Sequence, residues 1–199
     1  MNVKKILKYS IAYRSFLILV GGYRVYDTLV RDHIRPQKGI KILDIGCGPA
    51  HLLPWLPDAD YTGVDISQHY IADARARFKA KGEFICGDVN SVAIPSAPYD
   101  VIIAMGLLHH LSNEEVVQLA DRARQLLKPG GRLITVDGCY DPEQSRLARL
   151  ALKNDRGDFV RNFSGYTQLV KPYFTSINTS VHHDMLRIPY THLIMECNA

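Results

Sequence analysis

Residues 42–49 read Ile42-Leu43-Asp44-Ile45-Gly46-Cys47-Gly48-Pro49. The first four of these residues are apolar except for Asp44. Such a run predicts a strand that is covered on both faces, as in a parallel sheet with helices on each side. The glycines that follow permit a tight backbone turn and leave room for a ligand against the main chain. Because glycine turns end many strands, the two glycines alone do not identify a binding site.

This strand is the first of several that the sequence predicts. From residue 40 onward, short β-rich runs alternate with helical patterns, which predicts βαβ units and a parallel sheet. The predicted strands cover residues 41–45, 61–64, 83–86, 101–105 and 132–136. The predicted helices cover residues 67–79 and 113–127. Ser67, and Ser112 or Asn113, are expected to cap these helices, and Pro129-Gly130-Gly131 is expected to end the second one.

Further elements are predicted on both sides of this core. Residues 3–30 have the pattern of one or two amphipathic helices rich in tyrosine and interrupted at Gly21-Gly22. Beyond residue 140, the sequence predicts helices at 142–152 and 165–170 and strands at 175–182 and 191–196. We therefore expect a single domain over residues 1–199, with an N-terminal helical lid or cover (1–35), a core (40–138), and further helices and last strands (139–199).

Composition argues against several classes of protein. With 199 residues, 47% of them hydrophobic, the chain is long enough to bury the core of one domain. Its formal net charge of +4 is spread along the sequence, whereas a nucleic-acid-binding protein has a denser basic stripe, so we expect no nucleic-acid partner. The apolar run 16–20 is far shorter than the roughly 20 residues that cross a bilayer, and no membrane span is expected.

The cysteines are Cys47, Cys86, Cys139 and Cys197. They lie far apart and show no CxxC pairing, which argues against both a zinc cluster and a disulfide scaffold. Reduced thiols are typical of proteins in a reducing compartment. We therefore expect a cytoplasmic location.

Acidic residues follow three successive predicted strands. Asp44 lies at the end of the first, Asp65 follows about twenty residues later at the end of the second, and Asp88 follows the third. This edge of an open α/β sheet is where ligands bind, and a carboxylate there can accept hydrogen bonds from both hydroxyls of a ribose. Taken singly, each aspartate is also explained as a helix cap or turn former.

Five sequence blocks together resemble the class I S-adenosylmethionine-dependent methyltransferases. They are LDIGCG at 43–48, GVDIS at 63–67, GDV at 87–89, YDVIIAMGLLHHL at 99–111 and LLKPGGRLITVD at 126–137. A nicotinamide dehydrogenase is expected to have GxGxxG, whereas His51 follows Ala50 here and no third glycine is present. The resemblance implies a doubly wound, mostly parallel, seven-stranded Rossmann-like sheet, with helices on both faces and an antiparallel C-terminal strand. It also implies that residues 40–138 bind S-adenosylmethionine and release S-adenosylhomocysteine.

The resemblance further assigns residues to the cofactor. The implied set is Asp44, Gly46, Cys47, Gly48, Asp65, Ile66, Asp88, Val89 and Met105. Gly46 and Gly48 would let the backbone approach the methionine part. Asp44 would organise the ammonium group, directly or through water, with the Met105 carbonyl nearby.

The adenosine part would lie along the next two strand ends. Asp65 would bind the ribose, and Ile66 would pack on the adenine face. Asp88 would accept a hydrogen bond from the adenine amino group, with the Val89 backbone beside it. Independently of the family, an acidic sheet edge suits a ligand that carries a sulfonium and an ammonium cation better than it suits a pyrophosphate.

Two histidines follow the fourth predicted strand, at the edge of the expected cleft. His109 or His110 is a candidate general base, or a donor that orients the acceptor. The alternative is that each caps the next helix or holds the loop. The pair His182-His183 does not predict a metal site, because adjacent residues on a strand point to opposite faces. We therefore expect no metal.

The residues after 139 must determine which acceptor is chosen, since the core is a common cofactor platform. Arg156, Arg161 and Arg187 are candidates for holding an acidic acceptor through a bidentate contact. The alternative for each is a solvated surface, or a salt bridge to Asp155 or Asp158.

The expected function is methyl transfer to a small-molecule acceptor by in-line displacement without metal. One alternative is an RNA or protein methyltransferase. Similar enzymes that methylate amide nitrogens of nucleic acids or proteins carry an Asn-Pro-Pro-Tyr-like tetrapeptide after the fourth strand. This chain has Met105-Gly106-Leu107-Leu108 there, which argues against this alternative. A second alternative is a non-catalytic subunit that only binds the cofactor.

Overall fold

The computed structural model describes residues 19–95 and 97–199, and eight strands are found in these ranges. They are β1 (Lys41–Ile45), β2 (Asp60–Asp65), β3 (Glu83–Cys86), β4 (Tyr99–Met105), β5 (Leu127–Tyr140), β6 (Arg161–Asn162), β7 (Ser176–His182) and β8 (His192–Asn198). Seven of them form one sheet in the order β3-β2-β1-β4-β5-β8-β7, and the short β6 pairs with β5. Strands β1 to β5 run parallel, whereas β8 is antiparallel to both of its neighbours. The predicted fold class is confirmed.

The helices fall between the strands as the βαβ pattern requires. They are α1 (Tyr23–Thr28), α2 (Gln68–Phe78), α3 (Asn113–Leu126), α4 (Arg146–Lys153) and α5 (Phe163–Val170). Helix α1 continues as a π-helical segment, Leu29–Ile34, and 3₁₀ turns lie at Leu53–Trp55, Lys79–Lys81, Leu108–His110 and Lys171–Tyr173.

The helix starts follow from local hydrogen bonding. The Ser67 hydroxyl accepts from the backbone N–H of Tyr70 and caps α2. At the start of α3, Ser112 and Glu115 form a reciprocal capping box: Ser112 Oγ accepts from the Glu115 N–H at 3.3 Å, and Glu115 Oε2 accepts from the Ser112 N–H at 2.7 Å. Of the two N-caps predicted for this helix, Ser112 is the one used.

A separate apolar core covers each face of the sheet. Leu43 on β1 packs with α3 and α5 on one face, whereas its neighbour Ile42 packs with α1 and α2 on the other. This alternation is the period-two geometry of a strand. Both faces are buried, so the sheet presents its strand ends, and not its faces, to a ligand.

Several predicted boundaries were wrong. Strand β5 begins at Leu127 and ends at Tyr140, well beyond the predicted 132–136, and its register with β4 shifts around the Pro-Gly-Gly stretch. Helix α4 begins only after Ser145, whose hydroxyl accepts from the Ala148 N–H, and β6 was not predicted. Residues 1–18 of the predicted N-terminal helices lie outside the described residues.

In the ranges 19–95 and 97–199, no helix is long and apolar enough to cross a membrane.

Candidate functional site

A cavity of about 270 Å³ opens at the carboxyl ends of β1, β2 and β4. Strand order reverses between β1 and β4, and this switch point is the usual ligand site of open α/β sheets. The lining residues are Tyr26, Asp44, Gly46, Cys47, Gly48, Pro49, His51, Leu52, Asp65, Tyr70, Met105, Gly106, Leu107, His110 and Arg156. The structure therefore brings together most of the residues that the sequence assigns to the cofactor.

The glycine turn after β1 forms one wall of this cavity. The backbone N–H groups of Gly46 and Cys47 both donate to the Val64 carbonyl, which folds the turn back against β2. Gly46 and Gly48 have φ of +71° and +54°, in the left-handed region that favours glycine. A Cβ added at Gly48 would meet no atom within 4 Å, so the backbone there faces open space. A ligand can approach this backbone closely.

Asp65 ties the glycine turn to the end of β2. One carboxylate oxygen accepts from the Gly48 N–H at 2.8 Å, and the other accepts from the Ser67 N–H at 2.7 Å. A carboxylate has about four acceptor sites, so two hydrogen bonds leave capacity for a ligand. The side chain is thus fixed in place while it still lines the cavity.

Asp44 is the buried acid at the base of the cavity. Burial raises the pKa of Asp44 to about 7, although its hydrogen bond from the Tyr61 hydroxyl, at 2.7 Å, acts in the opposite direction. A cation placed beside this carboxyl group would stabilise the ionised form. This end of the cavity is therefore suited to a positively charged group.

Cys47 is largely buried between the two glycines. Its thiol lies against Gly63, where an added Cβ would be 2.8 Å from Sγ. Burial raises the pKa of this thiol far above its ordinary value, so it stays protonated. The side chain contributes packing to the turn.

Three residues assigned to the cofactor lie outside the cavity lining, along the same sheet edge. Ile66 follows β2 and is 79% exposed, which is unusual for an isoleucine. Asp88 follows β3, is exposed, and accepts from the Asn90 N–H, while Val89 is buried. An apolar surface and an acid are thus available next to the cavity, beside the end of β2.

The two histidines of the 3₁₀ turn after β4 have different surroundings. His109 is buried, with Nδ1 at 2.8 Å from Asp137 Oδ1 and Nε2 at 3.9 Å from Asp155 Oδ1. Burial would lower the pKa of His109, but the hydrogen bond and charge of Asp137, with the charge of Asp155, raise it above its ordinary value. His109 is held between two carboxylates and does not line the cavity.

His110 lines the cavity. Burial lowers the pKa of His110, and the charge of His109, whose ring centroid is 4.2 Å away, lowers it further. The imidazole is therefore neutral near pH 7 and has a nitrogen that can accept a proton. Of the two candidates for a base, His110 has the position and the protonation state that the role requires.

The three candidate arginines also differ. Arg156 lines the cavity. Arg161 donates to backbone carbonyls, among them those of Leu108 and Leu111, and thus fixes the histidine turn. The side chain of Arg187 packs against Gly21. Only Arg156 of the three reaches the cavity.

Some residues at the site were missed by the sequence analysis. Tyr26, His51 and Tyr70 line the cavity, and Asp137 is the acid that holds His109. Asp137 ends the quoted block at 126–137, and the rule applied to Asp44 would have pointed to it. Nothing in the sequence places Tyr26 at the glycine turn, because that contact depends on how the N-terminal segment packs.

The second histidine pair has ordinary partners. His182 Nε2 lies 2.9 Å from Ser180 Oγ, and His183 Nδ1 lies 3.2 Å from Thr191 Oγ1. Within the part of the chain that the structure describes, no three His, Cys, Asp or Glu side chains are grouped as a metal site would need.

Comparison with known proteins agrees with this geometry. Residues 42–131 match the family model described as a methyltransferase domain. The chain is 32% identical over 127 residues to an O-methyltransferase of Pyrenophora dematioidea, a match that covers 57% of this chain and 47% of that protein. It is 26% identical over 172 residues to phosphoethanolamine N-methyltransferase 3 of Arabidopsis thaliana, covering 83% and 34%. The chain thus spans half or less of the length of these relatives.

A solved structure shows the same fold over nearly the whole chain. The S-adenosylmethionine-dependent methyltransferase SibL, in its apo form, superposes with a TM-score of 0.72 at 17% identity, covering 94% of this chain and 56% of that one. The family match includes the glycine turn, β1 to β4 and the histidine turn, which are the elements around the cavity. Residues 42–131 thus match a methyltransferase domain in sequence, and the fold of the chain is that of the class I, Rossmann-like S-adenosylmethionine-dependent methyltransferases.

Proposed function

We propose that this protein transfers a methyl group from S-adenosylmethionine to an oxygen atom of a small-molecule acceptor, without a metal ion. The observation that carries the proposal is the position of His110. It lies in the same cavity as Asp44, Asp65 and the glycine turn, at the end of β4. The residues proposed to bind the cofactor and the proposed base thus line one cavity.

The residues of the cavity fit the cofactor. When bound, S-adenosylmethionine supplies a methyl group already activated on a sulfonium. Asp44 and Asp65 provide the negative charge that its two cations need, and the open backbone at Gly48 provides room for its methionine part. Ile66 and Asp88, which are exposed, would hold the adenine ring.

The contribution of the protein to the reaction is orientation, exclusion of water and removal of one proton. The cavity walls would orient the acceptor oxygen toward the bound cofactor and exclude water. An acceptor hydroxyl loses a proton as its oxygen becomes methylated, and the imidazole of His110 takes that proton. A histidine that is neutral at pH 7 is ready for this step without prior deprotonation.

Transfer to oxygen is favoured by the relatives. The more similar of the two reported relatives is named as an O-methyltransferase, and the less similar one as an N-methyltransferase. A hydroxyl acceptor also needs a base to remove its proton, which is the role proposed for His110, whereas an unprotonated amine can attack without one. A small molecule, and not a nucleic acid, agrees with the mild net charge of +4. A cytoplasmic location belongs to the same proposal and rests on the spacing of the cysteines.

The proposal is tested by incubating the purified protein with methyl-labelled S-adenosylmethionine and, in separate reactions, with a metabolite extract, the RNA and the protein of the host. We expect one extract component to gain the mass of a labelled methyl group, with equal formation of S-adenosylhomocysteine. Alkaline stability of the product would distinguish an ether from an ester. Tight cofactor binding without transfer to any component would instead support a non-catalytic subunit, and labelling of RNA or protein would contradict the small-molecule assignment.

A further inference from the structure

We propose that the acceptor is an acidic molecule whose anionic oxygen group is bound by Arg156, and that the loop carrying Arg156 is positioned by His109. This inference rests on the proposed function, because it names the class of acceptor for the same cavity. The sequence left three arginines as candidates. The structure supplies three observations that select Arg156.

The first observation is the distribution of charge around the cavity. Asp44 and Asp65 lie on the side formed by β1 and β2, whereas Arg156 comes from the loop between α4 and β6. Among the described lining residues, Arg156 is the only arginine or lysine. The cations of the cofactor suit the acidic side of the cavity, and the positive charge of Arg156 on the other side suits an anion. A guanidinium binds a carboxylate or phosphate through paired hydrogen bonds.

The second observation is that Arg156 lies near His110. Both side chains line the cavity. After burial and the charge of His109, the positive charge of Arg156 also disfavours protonation of His110. An anion bound to Arg156 would therefore lie beside the residue proposed as the base. An acceptor held there would have its reacting oxygen close to His110.

The third observation concerns the hydrogen bonds that hold the loop between α4 and β6, which carries Arg156. Asp155 Oδ1 accepts from the backbone N–H of Arg156 at 2.5 Å, and its Oδ2 accepts from the Tyr190 hydroxyl at 2.5 Å. Burial would raise the pKa of Asp155, but the hydrogen bond from Tyr190 and the charge of His109 lower it, so the carboxylate is ionised. Asp155, the residue before Arg156, is thus held in place by Tyr190 while it is partly buried.

The residue after Arg156 is anchored as well. A Cβ added at Gly157 would lie 2.2 Å from Cδ2 and 2.6 Å from the carbonyl oxygen of His109, so the loop backbone packs directly on that histidine. The Phe159 N–H also donates to the His109 carbonyl at 2.9 Å. Held on both sides, Arg156 has a defined position at the cavity before any ligand arrives, which lowers the entropic cost of binding.

The test uses simple probes with the protein loaded with S-adenosylhomocysteine. Calorimetry would compare benzoate, phenyl phosphate and neutral benzamide, whose size matches that of benzoate. We expect at least one of the two anions to bind and benzamide to bind at least tenfold more weakly, roughly the loss of one charged hydrogen bond. The anion that binds identifies the group as a carboxylate or a phosphate.

Variants assign this preference to one side chain. Arg156→Gln should lose about tenfold to a hundredfold in anion affinity, and Arg156→Lys should retain part of it. Arg146→Gln removes the same charge from the exposed start of α4 and should change nothing. Affinity for S-adenosylhomocysteine should be unaffected in all three variants.

Other results would overturn the inference. They are equal binding of benzamide, no binding of either anion, unchanged anion affinity in Arg156→Gln, or a loss of cofactor affinity in that variant, which would assign the arginine to the carboxylate of the cofactor. If the parent protein does not bind S-adenosylhomocysteine at all, the proposed function fails. The anion comparison, repeated on the unloaded protein, would then still decide the role of Arg156.

Discussion

Nδ1 of His109 lies 2.8 Å from Oδ1 of Asp137, and both side chains are buried just beyond the point where β4 stops pairing with β5. The backbone N–H of His109 also donates to the same oxygen at 3.2 Å. The histidine turn and β5 are thus joined by two hydrogen bonds to one carboxylate. Any ligand that reaches His110 meets a turn whose position is fixed by this contact.

The first prediction concerns the stability of His109→Gln as a function of pH. The pKa of His109 is raised in the folded protein by Asp137 and Asp155, against the effect of burial. A histidine whose pKa is higher in the folded protein than in the unfolded chain stabilises the fold when it is protonated. This stabilisation is complete below the unfolded pKa of about 6.5 and is lost as the pH rises through the folded pKa. We expect His109→Gln to be less stable than the parent by about 1 to 3 kcal/mol at pH 6, and by less at pH 9.

Urea unfolding at the two pH values measures this difference. His69→Gln, at an exposed position on α2, is the matched control and should change stability only slightly at either pH, because its contact with Asp73 is exposed to solvent. A gap between parent and His109→Gln that is equal at pH 6 and pH 9 would show that the ion pair with Asp137 adds nothing beyond packing.

A second prediction concerns Asp65→Ala and cofactor affinity. The substitution removes the proposed acceptor for the ribose hydroxyls and releases the N–H groups of Gly48 and Ser67. A hydrogen bond to a charged group contributes about 1.5 to 3 kcal/mol. We therefore expect the affinity for S-adenosylmethionine to fall by tenfold or more. Calorimetry measures it, with Asp58→Ala, at an exposed position before β2, as the control. Unchanged affinity would remove the ribose assignment.

A third prediction is that methyl transfer needs no divalent metal. In-line displacement from a sulfonium requires orientation and, for a hydroxyl acceptor, a base, and both tasks have protein residues assigned to them. Turnover should therefore be equal before and after dialysis against a chelator. Activity that is lost on dialysis and restored by magnesium or zinc would contradict the prediction and return His110 to consideration as a ligand.

Much of the fold was predictable because it depends on local patterns. Strands β1 and β3 have the predicted limits, and the acids at the ends of β1 and β2 line the cavity as parallel strands require. The extension of β5 was not predictable, because Pro129-Gly130-Gly131 normally ends regular structure. Here the chain resumes pairing with β4 immediately afterwards, and tertiary contacts outweigh the local preference.

The sequence predicted that the histidine pair lies at the candidate site, but not which of the two histidines lines the cavity. His109 and His110 are adjacent in one 3₁₀ turn, and nothing in their local sequence says which faces the cavity. That choice depends on Asp137, which is 28 residues away, and on the loop that contains Gly157. Partners so distant in sequence cannot be paired from one chain's pattern.

The last prediction distinguishes the two histidines by kinetics. If His110 is the general base, His110→Ala should lower kcat by roughly a hundredfold or more while the affinity for S-adenosylmethionine stays at the parent value. The base must be unprotonated, and burial and His109 lower its pKa, so the parent rate should fall only as pH drops below the ordinary histidine value of about 6.5. His110→Ala should lose this acidic limb. His109→Gln should keep it and mainly raise the acceptor KM, because His109 contacts the loop of Arg156 and not the acceptor. If His110→Ala turns over at the parent rate with the limb intact, the base must be sought elsewhere, most reasonably among residues 155–190.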